Sequence, residues 1–165
     1  MMKESIKAIE KSVERFMKEL DAVEKRAAKI DKELQEVRKE LEPMEVELLE
    51  IGSELNKTER ALHDKLNKVG RTRKKYLNAQ TDREMKMYEK DYSRLMKEVH
   101  ALEKEYKKLK EAYASLARKE EKVVKKEMAL EEEKAALYRE RDMYMQAASR
   151  IMQTLSRKIA RTSKA

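Results

Sequence analysis

Apolar residues return at alternating steps of three and four through the first third of the chain, and this spacing limits what the chain can fold into. With Ile6 set as a heptad a position, one line runs Ile6, Val13, Leu20, Ala27, Leu34, Leu41, Leu48 and Leu55. Its companion d line runs Ile9, Phe16, Val23, Ile30, Val37, Met44 and Ile51. About seven heptads follow one another without a break, where roughly three or four already mark a coiled coil. The pattern predicts an all-α chain whose long helices bury a narrow seam against one another.

Composition agrees. Charged residues make up 45% of the 165 residues, with two Gly, one Pro, one Phe and no Trp, so the chain lacks the apolar mass of a globular core. Low hydropathy also marks disordered chains, but those lack sustained periodicity and are rich in Pro, Gly and Ser. Glu, Lys, Arg, Leu, Met and Ala are good helix formers. Cysteine is absent, which removes disulfides, thiolate nucleophiles and cysteine-ligated metal. Residues 1–20 carry charges every few positions, unlike a secretory leader, and no apolar run reaches the ~18 residues of a membrane span. A cytoplasmic, intracellular location is expected.

Punctuation then divides the chain. Pro43 removes one backbone donor and crowds the preceding turn, so a kink is expected there, although Leu41, Met44 and Leu48 hold the register. After Ile51 the d line becomes polar at Thr58 and Lys65, the pattern fails past Leu62, and Gly70 follows. Gly70 suits the residue just past a helix end, and Thr81 with Glu84 three residues on reads as a capping box. The segments expected are therefore a heptad helix over 1–69, a basic turn over 70–81 and a second helix over 82–165 with a basic tail.

The second helix repeats the pattern through Tyr88, Tyr92, Leu95, Val99, Leu102, Tyr106, Leu109, Tyr113 and Leu116. One line continues through Val123, Leu130, Leu137, Tyr144 and Ile151, while the other turns charged at Glu120, Glu127, Lys134 and Arg141. Folding back at 70–81 gives an antiparallel two-helix hairpin pairing residues whose numbers sum to about 150–155, with Glu131, Glu132 and Glu133 opposite Lys25 and Arg26. The competing arrangement is one continuous helix in a parallel coiled-coil oligomer.

Charge is unevenly spread. The net charge is +8; residues 65–81 hold six basic residues and no acid, and residues 143–165 hold five and no acid. Glu40, Glu42, Glu45, Glu47, Glu50 and Glu54 form a stretch free of Lys and Arg. Basic ends and an acidic middle favour staggered side-by-side assembly. Two basic patches, Arg71, Arg73, Lys74 and Lys75, and Arg157, Lys158, Arg161 and Lys164, are candidate partner contacts. A polyanion such as nucleic acid fits them too, bound without sequence preference because no recognition module is present. Residues 143–159 form a basic amphipathic helix able to lie on a membrane surface.

Catalytic chemistry finds no foothold. The two histidines, His63 and His100, sit in helical segments, and His63 with Glu59 one turn back is far short of a metal site. No phosphate loop or nucleophile motif occurs, so no catalytic residue, cofactor or metal is expected. The seam residues Ile30, Leu34, Val37, Leu41, Met44, Leu48, Leu95, Val99, Leu102 and Leu109 are the candidates for assembly. The expected role is structural: a coiled coil that self-associates or docks along a filament, scaffold or cytoskeletal assembly. A basic adaptor for a polyanion is the rival. In size, basic charge and two-helix layout the chain also resembles the coiled-coil stalk hairpins of rotary and export ATPases, a likeness of architecture that implies a stalk role.

Overall fold

A computed structural model describes residues 2–163. It contains α1 (Met2–Leu77) and α2 (Asp82–Ser163), packed antiparallel as a helical hairpin, with no strand among the described residues. Good helix formers fill both segments, and what holds them is the buried stripe, since isolated helical stability in water is marginal.

The turn lies later than the sequence suggests. Gly70 is inside α1, and no glycine has a positive φ, so it ends no helix. Its expected role as a C-terminal cap fails because the run Arg71–Tyr76 is itself strongly helix-forming and places Lys74 and Lys75 in the last turn, where cations favour the helix dipole. The chain reverses over Asn78–Thr81. Asn78 N–H donates to the Lys74 carbonyl and Ala79 N–H to that of Tyr76, closing α1. Thr81 Oγ1 then accepts from Glu84 N–H at 3.2 Å, the N-cap read from the sequence. The reciprocal arm differs: the Glu84 carboxylate accepts from Gln80 N–H at 3.4 Å rather than from Thr81.

Moving the turn moves the register. Contacting pairs sum to between 160 and 169, from Phe16 with Tyr144 to Arg38 with Glu131, rather than 150–155. Glu131 accordingly faces Arg38, not Lys25. Pro43 does not break α1, which continues through it.

The packing forms two units. In the unit built from residues 2–40 and 123–163, Val23, Ala27, Ile30, Leu34 and Leu137 are buried together, with Leu130 and Tyr144 against them. The Phe16 and Tyr144 rings sit 6.1 Å apart at 48°, extending this cluster toward the N-terminal turns of α1. Leu41–Lys122 forms the other unit, whose interior is Leu41, Leu95 and Val99 with Thr58. Each side chain of this kind contributes roughly 1.5–3 kcal/mol by leaving water.

Candidate functional site

Of the ten seam residues singled out for assembly, Ile30, Leu34, Leu41, Leu95 and Val99 are buried and Val37, Met44, Leu48, Leu102 and Leu109 half-buried. They are covered by the opposite helix of the same chain. A second chain using these side chains would have to displace that helix, so a surface for assembly has to be sought outside the seam.

Polar residues that interrupt the heptads are part of the seam. Lys65 Nζ lies 2.5 Å from Glu98 Oε2, and Lys134 Nζ lies 2.5 Å from Asp31 Oδ1. The Lys65 ammonium, hydrogen-bonded to Glu98, holds that carboxyl below its ordinary range. Asp31 likewise raises the Lys134 pKa. Lys134 and Arg141 also flank the Tyr138 ring, 5.6 and 4.7 Å from its centroid. Tyr144 hydroxyl donates to Glu140 at 3.3 Å, and its pKa is pushed up to about 12, chiefly by the Glu19 carboxylate and then by burial. Among the described residues, Glu120 Oε2 and Arg141 Nε are buried without a hydrogen-bond partner. A purely apolar heptad count misses these positions; the charged line Glu120, Glu127, Lys134 and Arg141, at heptad spacing and half-buried throughout, was their signal.

What lies outside the seam is more informative. In the Leu41–Lys122 unit, Leu49 is 75% exposed, Leu77 70% and Leu66 46%. They share a second line of positions at alternating steps of three and four, each one residue on from an a or d position of the buried seam and so ~100° round the helix. Gly52 and Gly70, the only glycines, stand on the same line. A side chain at Gly70 would meet nothing within 4 Å, and at Gly52 only the Tyr113 ring at 3.9 Å. Arg73, Tyr76, Leu77, Glu89 and Tyr92 line a recess of about 490 Å³ at one end of this face. A second recess of about 500 Å³, near its middle, is lined by Asn56, Glu59, Arg60, His63 and Asp64.

The other unit has its own apolar groove, about 630 Å³, where Met17 and Leu20 of α1 face Met145 and Ala148 of α2. Met152 and Ile159, at heptad spacing from Met145, are each about half exposed.

Both basic patches lie on open surface. Arg71, Arg73, Lys74 and Lys75 are exposed, as are Arg157, Lys158 and Arg161, and none pairs with an acid among the described residues. Lys164 lies outside the described residues. His100 Nδ1 sits 3.6 Å from Glu103, and no group of three or more His, Asp or Glu able to hold a metal occurs among the described residues. No helix there is long and apolar enough to cross a membrane. The fold is thus that of a two-helix all-α hairpin. The chain matches no protein-family model, no curated protein and no solved structure.

Proposed function

We propose that this chain is a structural coiled-coil protein, one that self-associates or docks along a larger filament or scaffold. The observation that carries this is the apolar surface left outside its own seam: Leu49, Leu66 and Leu77 in one unit, Met17, Met145 and Met152 in the other. Large apolar side chains recurring on one solvent face are what a further helix covers.

Sedimentation mass measured over a hundredfold range of protein concentration, in low and high salt, tests the self-associating form. Mass above 19.6 kDa that falls on dilution is expected. A monomer under every condition excludes self-association, and leaves docking on a different molecule as the remaining form.

A second reading, a polyanion adaptor, is favoured by Arg71, Arg73, Lys74 and Lys75 standing exposed and unpaired among the described residues. Reversing all four charges then abolishes binding to an anionic homopolymer, and log Kd for the native chain rises linearly with log salt. Retained binding by that variant rejects this reading.

A further inference from the structure

We infer that the second apolar line of α1 is a self-complementary interface on which two copies of the chain pair antiparallel. This rests on the self-associating form of the function above and names its surface and partner.

The occupant follows from charge. Along α1, residues 40–54 carry six Glu and no Lys or Arg, and residues 65–75 carry six Lys or Arg and no acid. Both blocks fall within one helix and, Glu40 apart, within one unit, together with the apolar line that connects them. A parallel partner sets acid on acid and base on base. An antiparallel partner related by a two-fold axis near Glu59 and Arg60 sets each acidic block on the other copy's basic block, and the contact is made twice. In that arrangement Leu49 of one copy approaches Leu66 and Gly70 of the other, while Glu42 and Glu45 approach Arg73 and Lys74.

The rest of the face suits the same partner. Leu49, the most exposed large apolar side chain of the described residues, needs a notch, and Gly70 offers one that nothing within its own chain uses. A glycine inside a helix is unfavourable unless something approaches the backbone closely. The recess formed by Asn56, Glu59, Arg60, His63 and Asp64 lies where the axis passes, giving the two helices polar contact at the centre and apolar contact on either side. Tyr92 and Tyr113 of α2 border the face at 38% and 41% exposure, as amphipathic rings at the rim of an interface do.

The test uses the full chain and two charge variants, one with Glu42→Arg and Glu45→Arg, the other with Arg73→Glu and Lys74→Glu. All four positions are exposed, so circular dichroism should show native helicity in each variant. Sedimentation at low salt should give a mass twice 19.6 kDa for the native chain, with no larger species as concentration rises. Each variant alone should dimerise at least about tenfold more weakly, and an equimolar mixture should recover native affinity, because both halves of the mixed dimer are again opposite in sign. Leu49→Lys, at a 75% exposed position, and Gly70→Leu, where a Cβ meets nothing within 4 Å, should each yield monomers with native helicity. Association untouched by these four variants would leave self-association standing and remove this face from it. Growth past the dimer would exclude a closed two-fold contact, and a native chain that is monomeric throughout would remove both the face and the self-association on which it rests.

Discussion

At Leu34 and Leu49 the same residue type has opposite surroundings, and the two should respond oppositely to truncation. Leu34 is 2% exposed in the core shared with Ile30 and Leu137, so Leu34→Ala should cost about 2–5 kcal/mol in chemical denaturation. Leu49→Ala, at 75% exposure, should change the stability of the monomer by less than about 0.5 kcal/mol. Tyr144 supplies a pH signature. Folding raises its pKa from 10.0 to about 12, so its contribution is complete below pH 10 and is lost as pH rises through 12. Tyr144→Phe should therefore lower stability in the neutral range and flatten part of the alkaline decline, so that the two chains converge above pH 12. Glu98 acts at the other limit: its lowered pKa contributes above the ordinary 4.5 and is lost as pH falls through the folded value, so Lys65→Met should flatten the acid limb.

At the scale of the elements, α1 carries three residues that helices disfavour, Pro43, Gly52 and Gly70. Pro43 sits inside it, leaving the Lys39 carbonyl without its helical donor, and Pro43→Ala should raise the unfolding free energy from chemical denaturation by at most about 3 kcal/mol. Gly70→Ala, into open space, should stabilise the monomer by about 0.5–1 kcal/mol. Thr81→Ala removes the cap on α2 and should cost about 1 kcal/mol. The helical class, the hairpin and the cap at Thr81 were all legible in the sequence, because apolar periodicity and capping are local signals. The position of the turn was not. A glycine and a polar stretch look alike whether they end a helix or continue it with Lys65 and Thr58 turned into the seam, and only the partner Glu98, 33 residues away, distinguishes the two. The exposed line through Leu49, Leu66 and Leu77 was present in the sequence as widely spaced positions one residue on from the seam, hidden by the stronger pattern beside it.

For the whole molecule, surface area is the governing quantity. A chain that leaves 13530 Å² in water has little apolar burial to set against the entropy of ordering two helices of 76 and 82 residues. Any partner that binds the folded form adds stability by mass action, so the thermal midpoint of the native chain should rise with its own concentration and stop doing so in Leu49→Lys. A calorimetric series over two decades of concentration checks this.

The late turn also orders events on the ribosome. All 76 residues of α1 emerge before any of α2, and at about 5–20 residues per second the 82 residues of α2 take about 4–16 s to follow. Because pairing starts at Asn78–Thr81 and works outward, Val99 covers its neighbours early, whereas Val23 to Leu34 stay bare until Leu130 and Leu137 have been made. For those seconds the nascent helix is a sticky strip whose nearest match, on a crowded polysome, is the same strip on the next growing chain.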